Sequence, residues 1–200
     1  MFERELRQLS FVPRWVITRD IRTQSVAEHS FYVAVYAEQI AGWLGHTGPI
    51  GQLLKYALWH DVDECVTGDI PGPAKRNMVP LSREKNHTWL FGEMCKRFPG
   101  GEWKYTPTRQ EKDIVKLADL LDALFFKATE IQLGNRNAEY NYKEVMGWIR
   151  DHIRRMEGLS EGTAGLELMK GIVHAGESHM LYNDYLPRDP GHVGVQDPTA

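Results

Sequence analysis

The chain lacks the features of exported and membrane-spanning proteins. Its 200 residues include two cysteines, Cys65 and Cys95, which are too few and too far apart for a disulfide framework or a thiolate metal site. The N-terminal sequence MFERELRQLSF lacks the apolar core of a signal peptide. No stretch approaches the roughly 18 uninterrupted apolar residues that a membrane span requires. We therefore expect a reduced cytoplasmic protein with no membrane contact.

A strong charge of one sign is missing as well. The 24 basic and 27 acidic side chains give a formal net charge of −3. This balance argues against a basic surface of the kind that binds a nucleic acid polymer through its phosphates. An anionic substrate would have to be bound by a local cluster of lysine and arginine side chains.

Alternation of apolar and polar residues, the pattern of β-strands, is absent over any useful length, whereas helical patterns cover most of the chain. The sequence predicts an all-α fold with helices over residues 25–45, 50–66, 81–98, 108–134, 142–156 and 161–181. We expect one helical-bundle domain over residues 1–183, followed by a Pro/Gly-rich tail over residues 184–200.

Cap residues support several of these bounds. Ser25 and Glu28 have the spacing of a capping box, and Thr108 is suited to cap the longest helix. Gly68 and Gly134 are placed to end helices, because glycine adopts the backbone conformation that follows a last helical turn.

Four potential metal ligands lie on otherwise apolar helix faces: His29, the adjacent pair His60 and Asp61, and Asp119. Buried imidazoles and carboxylates are costly unless a cation compensates them. Two imidazole nitrogens and two carboxylate oxygens suit one divalent transition ion, namely Zn, Mn, Co, Fe or Ni. Taken singly, each residue has an ordinary alternative, such as a core histidine or an aspartate paired with Lys116. Their order on three separate helices favours a metal centre.

The motifs SVAEHS, LWHDVDE and KLADLLDAL, which contain these four residues, resemble the H…HD…D signature of the HD-domain metal-dependent phosphohydrolases. The longer stretches RWVITRDIRTQSVAEHS and HDVDECVTGDIPGPAK are most similar to bacterial 5′-deoxynucleotidases. The resemblance covers about residues 10–80 and 112–127. It implies a helical bundle of the HD-domain type, these four ligands and hydrolysis of a phosphate ester.

Two further carboxylates are candidate catalytic residues. Glu64 lies four residues after His60, on the same face of the predicted helix, and the resemblance implies a general acid or base at this position. Asp69 matches a second carboxylate of the family, which implies a role in orienting water or a sugar hydroxyl. The alternatives are a solvated carboxylate near a helix end for Glu64 and turn formation for Asp69.

Three basic residues are candidates for binding phosphate: Arg14, Lys75 and Lys116. Lys116 lies three residues before Asp119 and shares its helix face. Lys75 follows the stiff IPGP turn, and the Arg14 guanidinium can bind phosphate oxygens in pairs. For each of them the alternative is a solvated surface charge.

Trp15, next to Arg14, is a candidate wall for the sugar. The resemblance implies that a tryptophan here crowds the 2′ position and so favours deoxyribose over ribose. Core packing is the alternative, since the chain has six tryptophans. Ile17 and Pro73 are candidate apolar walls for the base.

The sequence leaves two reactions open at the 5′ phosphate ester of a deoxynucleotide. The motifs favour removal of orthophosphate from a deoxynucleoside monophosphate. Similar compact phage HD enzymes, notably ones specific for dATP, instead release triphosphate from a deoxynucleoside triphosphate, and there additional Mg would accompany the substrate.

Other classes are less favoured. A cyclic-dinucleotide phosphodiesterase would carry a Gly-Tyr-Pro block, which is absent, and the chain is short for a large multidomain dNTPase. A non-catalytic metal- or nucleotide-binding module would not need Glu64, Lys75 and Lys116 beside the ligands. Because helical HD proteins often pair, a homodimer is the expected assembly, with Trp148 and Phe91 available to it or to the core.

Overall fold

Helices and their connecting loops make up the described part of the chain. In this computed structural model the described residues are 4–72, 74, 90, 92–98, 106–156, 167, 168, 170–172 and 174–176. Within these ranges there is no β-strand, and extended backbone pairs only at an isolated bridge between Pro13 and Ser25. The all-α prediction is confirmed.

A short 3₁₀-helix over Arg4–Phe11 precedes the α-helices. The bounds of the α-helices in the described ranges are α1 (Val26–Trp43), α2 (Ile50–Trp59), α3 (Glu64–Thr67), α4 (Arg109–Gln132) and α5 (Ala138–Arg155). Helix α1 packs against α2 and α4, and α4 packs against α5. None of the described helices combines the length and the apolar character that a membrane span needs.

The core lies between α1, α2, α4 and α5. Buried alanines of α1 belong to this core, and its fully buried members include Val33, Ala37, Leu53, Leu117, Leu124 and Ile149. Each fully buried leucine or isoleucine contributes about 1.5–3 kcal/mol to folding. This packed frame carries His29 on α1 and Asp119 on α4.

Caps fix the starts of α1 and α4. Thr108 and Glu111 form a complete capping box, in which Glu111 N donates to Thr108 Oγ1 at 3.2 Å and Thr108 N donates to Glu111 Oε2 at 2.7 Å. At α1, Glu28 N donates to Ser25 Oγ at 3.2 Å, but the Glu28 carboxylate binds Arg22. Of the two hydrogen bonds of the predicted capping box at α1, only the one from the Glu28 N–H to the Ser25 side chain is therefore present.

The predicted continuous helix over residues 50–66 is wrong, because the α-helical pattern ends at His60. His60 Nδ1 donates to the Ala57 carbonyl at 2.7 Å, and in a continuing α-helix this carbonyl would accept from the Asp61 N–H. The next backbone hydrogen bonds span three residues instead of four. The resulting turn separates α2 from α3 and leaves His60 and Asp61 at the end of α2.

The loop of residues 12–25, here called the 12–25 loop, lies along α4. Two backbone hydrogen bonds of 2.9 Å join its ends. Asp122, Lys127 and Glu130 of α4 each bind polar groups of this loop. They recur at intervals of three to five residues and so occupy one side of α4.

Other predicted bounds have mixed outcomes. Helix α4 ends before Gly134, whose φ of +92° is one that glycine adopts readily, as predicted. Helix α5 begins at Ala138, four residues before its predicted start at position 142. The predicted helices over residues 81–98 and 161–181 are described only in part. The tail over residues 184–200 lies outside the described residues, so the division of the chain into domain and tail stays a prediction.

Candidate metal centre

Three elements bring the predicted ligands together. His29 is fully buried on α1, His60 and Asp61 follow α2, and Asp119 lies on α4. His29, His60 and Asp61 each offer a ligand atom, and these atoms lie within 4.8 Å of one another. Asp119 Oδ1 lies 3.4 Å from His29 Nε2. All four side chains therefore meet in one place.

Both imidazoles direct Nε2 toward this group because Nδ1 is bound elsewhere. His29 Nδ1 donates to Asp122 Oδ2 at 2.5 Å, and His60 Nδ1 donates to the Ala57 carbonyl at 2.7 Å. Among the described residues, each Nε2 atom is buried without a hydrogen-bond partner, although Asp61 Oδ2 lies 3.5 and 3.1 Å away. Two orphaned imidazole nitrogens that face a carboxylate form an arrangement that a divalent ion would complete.

The charges around this group also favour a cation. Three carboxylates, those of Asp61, Asp119 and Asp122, lie among two basic side chains, Arg14 and Lys116. The raised pKa of His60 means that its proton offsets the third carboxylate, and a divalent ion would replace that proton as the compensating charge. The chemistry of the donors and the charge balance therefore both fit the divalent metal that the sequence predicts.

The pKa values follow the same charges. Burial lowers the pKa of His60, but the neighbouring Asp61 and Asp119 outweigh burial and raise it to about 9. Burial raises the pKa of Asp61, but His60 and His29 hold it well below its usual value. Burial also raises the pKa of Asp119, whereas Lys116 and His29 lower it to about 2. Both carboxylates are therefore ionised at neutral pH.

Arg14 and Lys116 lie directly beside the ligands. The two terminal nitrogens of Arg14 lie 3.2 Å from Asp122 Oδ2 and 3.6 Å from Asp119 Oδ1. Lys116 Nζ donates to Asp119 Oδ2 at 2.5 Å, so the pairing that the sequence left as an alternative is present. The Lys116 side chain is 54% exposed and that of Arg14 is 13% exposed, so Lys116 is the more accessible to a phosphate from solvent.

Glu64 and Asp69 occupy different surroundings. Glu64 is 3% exposed at the start of α3, but the turn after α2 means that helical periodicity no longer places it on the face of His60. Asp69 Oδ2 accepts from the Trp15 N–H at 3.3 Å, so this carboxylate lies against the backbone of the predicted sugar wall.

The remaining predicted site residues are Trp15, Ile17, Pro73 and Lys75. Trp15 is half-buried, and its ring stacks on Phe126 with the centroids 6.2 Å apart. Ile17 is 65% exposed, so its side chain is available to a ligand. Pro73 and Lys75 lie outside the described residues.

Asp122 and Gln24 are site residues that the sequence interpretation missed. Asp122 is 3% exposed and binds His29, and Gln24 Nε2 donates to both of its carboxylate oxygens at 3.1 and 2.9 Å. The signal was present for Asp122, which follows Asp119 by three residues in KLADLLDAL and so lies on the same side of the helix. Gln24 carried no comparable signal, because its partner is 98 residues away.

A cavity of about 350 Å³ is formed by other residues than the predicted ligands. Its lining includes Tyr36, Trp43, Leu121, Phe125, Leu168 and Ile172, and it contains none of the four ligands. Its walls are mostly apolar and include the Glu167 carboxylate, so they do not match the requirements of a phosphate.

Comparisons with known proteins agree with this geometry. A family model for YfbR-like 5′-deoxynucleotidases matches residues 1–88. The 5′-deoxynucleotidase yfbR of Photorhabdus temperata is 30% identical over 154 residues, which are 70% of this chain and 77% of the relative. The dATP triphosphohydrolase of Salmonella phage PMBT28 is 34% identical over 138 residues, 63% of this chain and 66% of the relative.

Solved structures share the fold. The cyanophage S-2L HD phosphohydrolase DatZ, solved with dA and one catalytic Zn²⁺ ion, has a TM-score of 0.69 and 22% identity. That match covers 89% of this chain and 98% of DatZ. An HD-domain phosphohydrolase from Listeria innocua has a TM-score of 0.66 and 21% identity, with 88% of this chain and 89% of that protein covered. The bundle around the candidate centre is therefore the HD-domain fold.

Proposed function

Because this chain belongs to the YfbR-like 5′-deoxynucleotidase family, we propose that it hydrolyses deoxynucleoside 5′-monophosphates to deoxynucleosides and orthophosphate. One observation carries the proposal: the orphaned Nε2 atoms of His29 and His60 converge with the Asp61 carboxylate beside Arg14. Hydrolysis of a phosphate ester needs positive charge around the phosphoryl oxygens and a nucleophile in line with the leaving oxygen.

In this proposal the metal ligands are His29, His60, Asp61 and Asp119. A bound divalent ion supplies positive charge and lowers the pKa of water. Zinc is the first ion to test, because the cyanophage enzyme of the same fold was solved with catalytic zinc, and Mn, Co, Fe and Ni suit the same donors. Asp122 orients the His29 imidazole through its Nδ1 hydrogen bond.

The other site residues bind and orient the substrate. Arg14 and Lys116 bind the phosphate, because both place a positive charge within 3.6 Å of the Asp119 carboxylate, a proposed metal ligand, where phosphate oxygens would compete with that carboxylate for them. Lys75 assists them in the proposal. Glu64 is the general acid or base, since it is a buried carboxylate close in sequence to His60. Asp69 holds the Trp15 backbone.

Trp15 forms the wall beside the sugar 2′ position and so disfavours ribose. It adjoins the phosphate-binding Arg14, and Arg14 Cζ lies 5.7 Å from the centroid of its ring. A ring at this position leaves room for hydrogen but not for a hydroxyl group. Ile17 and Pro73 bind the base in the proposal.

A second candidate is release of triphosphate from a deoxynucleoside triphosphate, with additional Mg on the substrate. The dATP triphosphohydrolase of Salmonella phage PMBT28, at 34% identity, favours this candidate. Both reactions break the ester bond to the 5′ oxygen, so the same ligands would serve either one.

Product analysis separates the two reactions. The purified protein is incubated with dAMP, AMP and dATP in the presence of Zn²⁺, Mn²⁺ or Co²⁺. We expect orthophosphate from dAMP and much less from AMP. Inorganic triphosphate from dATP, without turnover of dAMP, would replace the first candidate by the second. No product from any of them would reject both.

The assembly is a further part of the proposal, and we propose a homodimer. Trp148 on α5 is 42% exposed and is available to a second copy, whereas Phe91 lies outside the described residues. Sedimentation equilibrium of the wild type and of Trp148→Ala tests this, and a wild-type monomer would contradict it.

A further inference from the structure

Trp15 adopts a backbone conformation that costs free energy. Its φ is +63°, in the left-handed region that a bulky side chain rarely adopts. Such strain persists where the surroundings over-determine a position, and it is common at ligand-binding sites. The contacts that hold Trp15 therefore indicate which residues control the predicted sugar wall.

The backbone and the indole of Trp15 are held by different groups. The Trp15 N–H donates to Asp69 Oδ2 at 3.3 Å, and its carbonyl accepts from the N–H and Oγ1 of Thr18 at 2.8 and 2.9 Å. The indole ring lies nearly parallel to Phe126, at 5°, and its Nε1 donates to Gln24 Oε1 at 3.4 Å. The backbone bonds close the turn, whereas the ring is positioned by contacts with α4 and Gln24.

The ammonium group of Lys127 joins this ring to the 12–25 loop. Lys127 Nζ lies 3.9 Å from the centroid of the Trp15 ring. It also donates to both carboxylate oxygens of Asp20, at 2.7 and 2.9 Å, and to Thr18 Oγ1 at 3.3 Å. One buried cation therefore contacts the indole, the turn that follows it and a carboxylate of the same loop.

The burial of Lys127 indicates more than packing. Its side chain is fully buried, and that of Asp20 is 9% exposed. An aliphatic side chain would fill the same space without the desolvation of a charge. A desolvated ammonium over an indole face is attracted strongly to the ring, and this attraction depends on where the ring lies.

We propose that Lys127 is a positioning residue that fixes the Trp15 indole and thereby sets the preference for deoxyribose over ribose. The inference rests on the proposed function, in which Trp15 lies beside the 2′ position. Lys127 and Asp119 both lie on α4, so this helix links the position of the indole to that of a metal ligand. If the indole shifts away from the sugar, a 2′-hydroxyl group fits in its place. The kcat/KM for ribonucleotides should then rise while the metal centre is retained.

The test variant is Lys127→Met combined with Asp20→Asn. This pair removes the ammonium group without leaving a buried carboxylate unpaired. We expect the ratio of kcat/KM for dAMP to that for AMP to fall about tenfold, mainly because KM for AMP decreases. Bound metal, measured by elemental analysis, should stay at the wild-type level. An unchanged ratio in a folded, metal-loaded variant would overturn the proposal.

Glu130→Gln is the matched control. Glu130 holds the same loop to the same helix through the N–H groups of Ile21 and Arg22, and no contact with Trp15 is described for it. This control should keep the wild-type ratio although it loosens the loop. If the ratio of kcat/KM for dAMP to that for AMP falls equally in both variants, general loosening of the 12–25 loop explains the effect and the role of Lys127 is rejected.

Two further measurements keep the proposal testable. Asp20→Asn alone keeps the Lys127 ammonium, whose charge Glu130 still offsets in part, and should lower the ratio about threefold, so it serves if the double variant does not fold. The Trp15 Nε1–H resonance, assigned by its loss in Trp15→Phe, should shift in the Lys127 variant and not in Glu130→Gln. If the wild type does not turn over dAMP, the proposed function fails, and this resonance still tests the position of the ring.

Discussion

The carboxylate of Asp122 contacts three side chains. It accepts from His29 Nδ1 at 2.5 Å and from Gln24 Nε2 at 2.9 Å, and it pairs with Arg14 at 3.2 Å. The contact with His29 fixes the tautomer in which Nε2 carries the lone pair, as carboxylates behind metal-binding histidines do. Asp122 therefore connects the predicted metal ligand with the predicted phosphate-binding arginine.

Asp122→Asn should weaken metal binding and leave the fold in place. The amide keeps the volume of the carboxylate but loses its charge, so we expect metal affinity to fall about 10- to 100-fold. Titration against a chelator of known affinity measures this change. Asp151→Asn, on the exposed surface of α5, is the control and should retain wild-type affinity. Equal affinities in the two variants would exclude a role of Asp122 in orienting His29.

Glu64→Gln should separate catalysis from metal binding. If Glu64 is the general acid or base, kcat falls about 10²- to 10⁴-fold while the metal content stays at the wild-type level. The exposed Glu139→Gln on α5 serves as control and should retain full turnover. A rate for Glu64→Gln close to that of the wild type would remove the catalytic assignment.

Helix α4 holds the 12–25 loop through Glu130 as well as through Lys127. Glu130 is fully buried, and its carboxylate accepts from the N–H groups of Ile21 and Arg22 at 2.6 and 2.8 Å and from Asn135 Nδ2 at 2.8 Å. Burial raises the pKa of Glu130, but these hydrogen bonds outweigh burial and lower the pKa below its usual value. The carboxylate therefore stabilises the loop in its ionised form.

Glu130→Gln should lower stability in a pH-dependent way. The folded-state pKa of Glu130 lies below the ordinary value of 4.5, so its stabilisation is present above that value and is lost as pH falls through the folded-state pKa. We expect a loss of about 2 kcal/mol at pH 7, because an amide donor replaces an acceptor that faces N–H groups, and a smaller difference near pH 3. Urea unfolding at both pH values measures it. The exposed Glu38→Gln should change stability little at either pH, and a constant loss for Glu130→Gln would contradict the argument.

The sequence could predict those element bounds that depend on local chemistry. Thr108 and Glu111 form their capping box from neighbouring residues, so their spacing was sufficient. The turn after α2 could not be predicted, because it depends on a side-chain hydrogen bond. His60 Nδ1 donates to the Ala57 carbonyl, which therefore does not accept the next backbone N–H of an α-helix. Apolar periodicity continues through this turn and gives no sign of the break.

At the scale of the whole molecule, the order of the four predicted ligands could be read from the sequence, and the contacts around them could not. His29, His60, Asp61 and Asp119 lie on separate helical segments in a recognisable order, and the fold brings them together. The route of the 12–25 loop along α4 depends on pairs such as Asp20 with Lys127, which are 107 residues apart. Nothing local specifies such a pair, so the position of Trp15 emerged only from the structure.

Because the predicted ligands come from α1, from the end of α2 and from α4, metal binding should stabilise the whole bundle. A ligand that binds only the folded state at a hundredfold excess over its Kd adds about 2.7 kcal/mol. For a chain of this size that corresponds to a rise in Tm of about 5–10 °C between chelator-treated and zinc-loaded protein. Differential scanning calorimetry of both forms measures it. His60→Ala and Asp61→Ala should lose both this increment and the activity, whereas His174→Ala, at an exposed position, should retain both. If His60→Ala keeps the full zinc-dependent rise in Tm, the ion binds elsewhere and the proposed centre is excluded.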